Sequence, residues 1–531
     1  MAMAKSVLAP PVLIFALFCS YYAASMASAQ AAASSSDGFL RCLSASIPSQ
    51  LVFTQSSPSF TTLLKSSIRN PKFFTPSIVR PLYIVTPTNA SHAQDAVLCG
   101  RQNGMRLRVR SGGHDYEGLS YRSERPEAFA VLDLSNLRAV RVDLQTSTAW
   151  VDSGATLGEL YYAVGKASNV LGFPAGLCPT VGVGGHFSGG GFGMLLRKYG
   201  LAIDNVLDAV LVDARGRLLS KNTMGSDVFW AIRGGGGESF GVVLSWQVRL
   251  VPVPATVAVF NVPVPASQGA VDVVTRWQQV APALPDDLFI RVLVQQQTAN
   301  FQSLFLGTCD ALLPVMGSRF PELGLNRSSC KEMTWIQSVP YIYLGSGSTV
   351  EDLLNRTTSA SVFSSGYKAT SDYVRQAIPR DVWANIFSRL AQPNAGLMIL
   401  DPYGAQISTV PESATPFPHR AGVLYNIQYM NFWPMAGGGD GAVQTKWVRD
   451  LYAFMAPYVS SNPREAYFNY RDLDLGENVV VGNVSSYQAG MVWGHKYFKD
   501  NYQRLAVAKS QIDPDDYFRN EQSIPPLANS N

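Results

Sequence analysis

The stretch Cys178-Pro-Thr-Val-Gly-Val-Gly-Gly-His-Phe-Ser-Gly-Gly-Gly-Phe-Gly193 decides how the chain is read. It holds seven glycines, one cysteine and one histidine, and no side chain of fixed charge at neutral pH. Glycine at this density lets a main chain turn through positive φ and approach a bulky ligand closely. Successive N–H groups in such a loop make a concavity for anions. Upstream, Arg110-Ser-Gly-Gly-His-Asp-Tyr-Glu-Gly118 repeats the theme around His114, and a third run, Gly234 to Gly237, precedes Glu238-Ser-Phe-Gly241. Three such turns suggest a long phosphate-bearing cofactor lying on backbone. The alternative, tight turns between strands, stays open on glycine content alone. Neither common fingerprint fits. GxGxxG would need glycine where Phe187 stands, and no GxxxxGK[ST] loop occurs.

Composition narrows the function classes. Charged residues are 15% of the 531, below the roughly 25% of soluble domains. The net charge is +4 with no basic cluster, which argues against a nucleic-acid partner. Lys5, the apolar run Val7–Phe18 and Ala27-Ser-Ala29 read as a signal peptide over residues 1–29. That run is too short for a bilayer span, and no later stretch is long enough, so no membrane role is expected. Ser34 to Ser36 reads as a disordered mature N-terminus. After cleavage five cysteines remain, at 42, 99, 178, 309 and 330, and an odd number in a secreted chain leaves one thiol over. Cys42–Cys99 and Cys309–Cys330 are the simplest bridges, the second on spacing alone. Cys178 is then either a buried inert thiol or one occupied by something else. Sequons at Asn89, Asn326, Asn355 and Asn483 suit N-glycans.

Five segments in order carry a resemblance: SGGHDYEGLSY from Ser111, the Cys178 stretch, KYGLAIDNVLDA from Lys198, DVFWAIRGGGGESFGV from Asp227 and NYRDLDLG from Asn469. Together they resemble the plant berberine-bridge-enzyme-like FAD oxidases. The resemblance implies FAD bonded twice, through His114 to the 8α-methyl carbon and through Cys178 to the 6-position carbon of the ring. It also implies the Cys42–Cys99 bridge. It places the cofactor against Arg110, Ser111, Gly112, Gly113 and Asp115, and against Val181, Gly182, Gly184, Gly185, His186, Gly189, Gly190, Phe192 and Gly193. Asp204, Asn205, Gly241 and Val242 complete that set.

The pattern along the chain reads as α+β. A strand from Ile84, a helix His92–Asn103 and a strand Met105–Val109 open it, followed by strands at Ala130–Leu134 and Thr148–Val151. Thr156–Asn169 reads as a helix capped by Thr156 with Glu159 three residues on. Strands at Leu207–Asp213 and Val242–Leu250 flank a short helix Asp227–Arg233. Residues 78–252 are thus expected to form a two-lobed FAD-binding domain of the vanillyl-alcohol-oxidase type, after an N-terminal segment 30–77. Pro252-Val-Pro254 and Pro263-Val-Pro265 punctuate the boundary. Residues 253–465 show strands Leu288–Gln296, Ser303–Thr308 and Gly422–Phe432 with helices Val271–Val280 and Asp381–Leu390. That pattern suggests an antiparallel sheet covered by helices, a substrate domain. Residues 466–531 resemble the family's segment returning to the flavin domain.

In Leu424-Tyr-Asn-Ile-Gln-Tyr-Met430, Asn426 and Gln428 share a sheet face. On their own they read as solvated amides; the resemblance places them over the flavin. It also makes Tyr470 the general base, with Tyr116 nearby. A phenol near its usual pKa of about 10 needs a cation or strong donors to act so. Members that oxidise monolignol-type alcohols carry lysine where this chain has Asn426 and tyrosine where it has Phe192, so a carbohydrate is at least as well suited. Val181 stands at the family's oxygen gate, where valine goes with oxygen access. The expected function is a secreted, apoplastic or cell-wall FAD oxidase. It would take hydride from an alcohol group of a carbohydrate or phenolic small molecule and pass the electrons to molecular oxygen, giving hydrogen peroxide.

Two other classes remain on the sequence. One is a flavoprotein acting mainly as a carbohydrate-binding wall protein. The other is a serine hydrolase on Gly237-Glu-Ser239-Phe-Gly241, with His419 or His495 as base; its helix-before-strand order is the reverse of a nucleophile elbow. Histidines 92, 114, 186, 419 and 495 show no metal-ligand spacing, so no metal is expected.

Overall fold

Among the described residues short β-branched and aromatic runs build three large sheets and two two-stranded ribbons, and the glycine loops are turns between their elements. A computed structural model describes residues 36–357, 365–436 and 439–527. The expected signal peptide lies outside these residues, as do Ser34 and Ser35. Ser36, read as disordered, instead lies in a helix at residues 36–44, whose Phe39 and Leu43 pack into the first lobe.

In that lobe β1 (Val52–Thr54), β2 (Tyr83–Val85), β3 (Arg106–Arg110) and β4 (Phe129–Asp133) lie in the order β1-β2-β4-β3. β4 pairs parallel with both β2 and β3 and is buried along its length. The second lobe uses β5 (Val140–Asp143), β6 (Thr148–Asp152), β7 (Leu171–Gly172), β8 (Val206–Val212), β9 (Leu218–Leu219), β10 (Val242–Arg249) and β11 (Val251–Pro252). Five of these form the sheet β5-β6-β10-β8-β9, while β7 and β11 make a separate ribbon. The helix Leu157–Ala167 starts on a full capping box. Glu159 N–H donates to the Thr156 hydroxyl, and the Thr156 N–H donates to the Glu159 carboxylate. Such a cap stabilises a helix by about 1 kcal/mol.

The third sheet has seven strands: β12 (Val257–Pro265), β13 (Leu288–Gln295), β14 (Thr298–Phe305), β15 (Cys330–Met333), β16 (Ser365–Val374), β17 (Leu397–Pro402) and β18 (Tyr425–Pro434). Their order is β15-β12-β14-β13-β17-β18-β16, and every pairing is antiparallel. One face is covered by the helices Ala270–Val280, Arg380–Leu390 and Ala442–Met455, through Trp277, Trp383 and Leu451 among others. Tyr425, Ile427 and Tyr429 of β18 point into that core. The second proline pair does not break the chain: Pro263 and Pro265 lie inside β12. They follow Phe260, the last residue paired to β15, so one edge of the strand needs no N–H there.

The chain from Ala466 crosses back to the first two lobes. Its helices Tyr487–Phe498 and Asn501–Ile512 join the second lobe's core, and Tyr517 and Phe518 join the first. Cys42–Cys99 and Cys309–Cys330 are both bonded, and Cys178 is free. Among the described residues no helix is long and apolar enough to cross a membrane.

Candidate functional site

The loop after β3 is fixed at its root before it reaches the site. Buried Arg110 donates from Nε to Asp133 Oδ2 at 2.8 Å and from its terminal nitrogens to the carbonyls of Leu63 and Leu64. Asp115 Oδ1 accepts the N–H groups of Glu117 and Leu119, which turns the loop and presents His114 and Tyr116. The Cys178 loop meets it backbone to backbone. A Cβ on Gly112 would stand 2.3 Å from the nitrogen of Gly182, so neither position has room for a side chain. Gly113 adds a positive φ of 68°. These glycines therefore serve loop-to-loop contact. Gly185 differs: it lines the cavity, and a Cβ there would meet nothing within 4 Å.

That cavity holds about 800 Å³ and runs between the two glycine loops, the open face of the seven-stranded sheet and the segment Tyr467–Arg471. This is within the range of pockets that take a small-molecule ligand or cofactor. On its wall, His114 Nε2 lies 3.0 Å from the hydroxyl of Thr180, and the Cys178 sulfur lies 3.5 Å from the same oxygen. An imidazole and a thiol from loops 64 residues apart thus converge on one point. Burial, reinforced by the Arg69 guanidinium, holds His114 well below its ordinary pKa. The imidazole is neutral, and a neutral ring nitrogen has the lone pair that bonding to carbon requires. The neutral imidazole, the thiol and the unhindered backbone at Gly185 fit the doubly bonded flavin that the resemblance implies. His186 is also neutral: burial lowers it to about 3, and Nε2 accepts the Gly176 N–H at 2.9 Å.

Over the same cavity Tyr116 and Tyr470 stack, their ring centroids 5.7 Å apart and their planes 6° from parallel. Gln428 Nε2 donates to the Tyr116 hydroxyl. Tyr467 and Phe192 pack edge-on against Tyr470 at 4.9 and 6.1 Å. Burial first, then the Asp401 carboxylate, raises the Tyr470 phenol well above its usual range, while Arg291 opposes the shift. Burial also raises Tyr116, against the Gln428 hydrogen bond.

Most residues singled out in the sequence stand on this wall: Ser111, Gly112, Gly113, Asp115, Val181, Gly182, Gly184, Gly185, Phe192, Gly193 and Gly241, with His114, Tyr116, Cys178, His186, Gln428 and Tyr470. Others lie behind it. Arg110 anchors the loop, and Asp204 pairs with Arg420. Asn205 donates to the carbonyls of Tyr199 and Leu201, and Val242 pairs with Val212 in the second lobe's sheet. Gly189 and Gly190 pack on the 467–469 turn. Asn426 is fully buried and donates to the Asp372 carbonyl at 3.0 Å, so its amide is held within the sheet. Ser239 is also fully buried, in the turn before β10, with its hydroxyl accepting the Ile524 N–H. It presents no accessible nucleophile for the hydrolase reading.

The wall also carries Arg291, Gln302, Asp401, Glu238 and Arg471, which the sequence reading passed over. Arg471 stands 3.0 Å from Asp115 and 2.7 Å from Glu238, tying both glycine-rich regions to the Tyr470 turn. A signal existed for Arg291 and Asp401. Both are charged residues at the open-face positions of otherwise apolar strands, in Leu288-Phe-Ile-Arg291 and Leu397-Met-Ile-Leu-Asp401.

Residues 81–221 match the family model described as FAD binding domain, and residues 466–525 match the one described as berberine and berberine like. The chain is 63% identical to the berberine bridge enzyme-like Cyn d 4 of Cynodon dactylon over 489 residues, 92% of this chain and 93% of the relative. Among solved structures it is similar to wild-type Phl p 4.0202, a glucose dehydrogenase, with a TM-score of 0.90 and 58% identity over 92% of this chain and 99% of that one. It is equally similar to a Phl p 4 variant that is a glucose oxidase, with a TM-score of 0.90 and 59% identity over 92% and 100%. That variant replaces an isoleucine by valine and, five positions on, an asparagine by histidine.

Proposed function

The chain belongs to the berberine-bridge-enzyme-like family of FAD-dependent oxidoreductases, and on that premise we propose that it oxidises an alcohol group of a carbohydrate or related small molecule, with FAD bonded to His114 and Cys178 and molecular oxygen as the final acceptor. The observation that carries this reading is the meeting of the His114 imidazole and the Cys178 thiol at the Thr180 hydroxyl. FAD, when bound, supplies the acceptor for the hydride leaving the substrate carbon.

The chain's own residues orient the substrate and manage its proton. Tyr470 takes the proton of the reacting hydroxyl, held flat by its stack on Tyr116, which Gln428 fixes in turn. Because burial keeps the phenol protonated at neutral pH, Arg291 is the positive charge that favours its ionised form. Turnover should therefore rise from neutral to alkaline pH. Oxygen as acceptor is supported by Val181 and His186. They are a valine and a histidine five positions apart, the spacing of the two substitutions in the Phl p 4 variant that is a glucose oxidase. The two disulfides and the leader at residues 1–29 support secretion to the apoplast or cell wall, with N-glycans on some of the four sequons.

The test is peroxide release by the secreted protein across a panel of sugars and alcohols. Peroxide with at least one sugar is expected; silence across the panel with the yellow colour retained would overturn the reading. Tyr470→Phe keeps the ring stack and removes the hydroxyl. Turnover should fall by about 100-fold or more with colour unchanged, and full activity in that variant would reject Tyr470 as the base.

A further inference from the structure

The open face of the seven-stranded sheet carries a polar cluster for which the reaction above has no complete use. Arg291 on β13, Gln302 on β14 and Asp401 on β17 all face the cavity. Arg291 and Gln302 are register partners, as are Asp401 and Asn426. Asp401 is only 3% exposed, and its Oδ1 lies 3.2 Å from Arg291 Nε. Among the described residues its Oδ2 accepts no hydrogen bond, and neither does the buried Oδ1 of Asn426 beside it. A buried acceptor left without a donor forfeits its hydration with nothing in return, and a charged one loses the most. Folded proteins seldom keep such a group without a reason in function.

A carboxylate only accepts and a guanidinium only donates. A hydroxyl does both, so it can donate to Asp401 Oδ2 and accept from Arg291. The reacting hydroxyl cannot supply this contact, because it is committed to Tyr470. An alcohol with a single hydroxyl leaves Asp401 as it stands. A molecule with a second hydroxyl a few ångströms away satisfies both.

We propose that Asp401, held by Arg291, is a specificity-determining residue that takes a second, non-reacting hydroxyl of the substrate, so that the site selects polyols over alcohols with one hydroxyl. This rests on the reading of the cavity as an alcohol-oxidising site and names the substrate class that site prefers. A site built to hydrogen-bond a hydroxyl rejects analogues lacking it far more strongly than an apolar pocket rejects a misfit.

The experiment uses the flavin-loaded protein and two readouts. The first is the ratio of kcat/KM for glucose over benzyl alcohol, in wild type and D401N. The second is equilibrium binding of 1,5-anhydroglucitol, a polyol without the anomeric hydroxyl, by calorimetry. One hydrogen bond to a charged group corresponds to roughly 10- to 100-fold. The glucose preference should fall by that factor in D401N, chiefly through KM, and 1,5-anhydroglucitol should bind weaker by a similar factor. Equal losses on both substrates, an unchanged ratio, or wild type that fails to bind 1,5-anhydroglucitol would overturn the proposal. Should D401N not retain its colour, D401A removes the buried carboxylate without adding a donor and carries the same expectation. If wild type releases no peroxide from either substrate, the oxidase reading fails, while the calorimetric arm still decides the role of Asp401.

Discussion

At Val181 the difference between valine and isoleucine is one methylene on the cavity wall, in a loop whose neighbours are glycines. Val181→Ile is expected to leave reduction by substrate nearly unchanged and to slow reoxidation by oxygen. Stopped-flow mixing of the reduced protein with oxygen reads this directly, and an unchanged reoxidation rate would remove Val181 from the account. His114, Cys178, Tyr116 and Tyr470 were legible in the sequence because each sits in a loop or turn whose motif is continuous in the chain. For Arg291 and Asp401 the sequence carries each charge in an apolar strand but not their meeting, which depends on β13 lying beside β17, a pairing no local pattern states. Asn426 shows the opposite limit. The two-residue period placed it on the same face as Gln428, yet the neighbouring Asp372 carbonyl draws its amide away from the cavity.

Among the elements, β16 has the largest structural task near the site. Its Lys368 places Nζ 2.8 Å from Glu117, 2.5 Å from Asp472 and 3.3 Å from Asp474, all with the lysine side chain 6% exposed. Glu117 follows Tyr116 directly and Asp472 comes two residues after Tyr470, so one ammonium fastens both ends of the tyrosine stack. Burial works against the charge, but the three carboxylates hold the ammonium above its ordinary range. Lys368→Met would leave buried Asp472 without its cation and Glu117 with only Arg122, 3.8 Å away, at a cost of about 3–5 kcal/mol. The denaturant midpoint should fall accordingly, with Lys368→Arg recovering much of it; a neutral Lys368→Met would contradict this role. In the first two lobes β2, β3, β4, β6, β8 and β10 and the helices Ala90–Gln102, Leu157–Ala167 and Ser226–Ile232 followed from periodicity because each is locally patterned, whereas β1, β5 and the helix Phe60–Ser66 did not. β12 was hidden by its prolines, which normally mark a break and here occupy an unpaired edge. β16 was hidden because its mixed run, Ser365-Gly-Tyr-Lys-Ala-Thr370, carries no clean alternation, and β17 because Leu397-Met-Ile-Leu400 is a short apolar run with no period at all.

Over the whole molecule, the segment from Ala466 returns to the first two lobes, and the joint at its root is a charge cluster. Glu465 accepts from Arg375 at 2.8 Å and stands 2.7 Å from His419 Nδ1, whose ring stacks on Tyr373. Burial acts to raise the Glu465 carboxyl, but His419 and Arg375 outweigh it and hold it at about 2. Its folded value is below the ordinary 4.5, so its stabilisation is complete above pH 4.5 and is lost as pH falls toward 2. Burial lowers His419, and protonating it in acid acts in the same direction. The melting temperature should therefore decline through that window, and Glu465→Gln should flatten the decline; an identical slope in the variant would count against the cluster.

The central claim is the double attachment at His114 and Cys178, and the most direct measurement is to denature the purified protein in acid and pass it through a membrane that retains protein. The account predicts that the yellow colour stays with the polypeptide, that each single alanine variant keeps it through the remaining bond, and that the double variant releases it. Colour passing freely from the wild-type protein would contradict the claim.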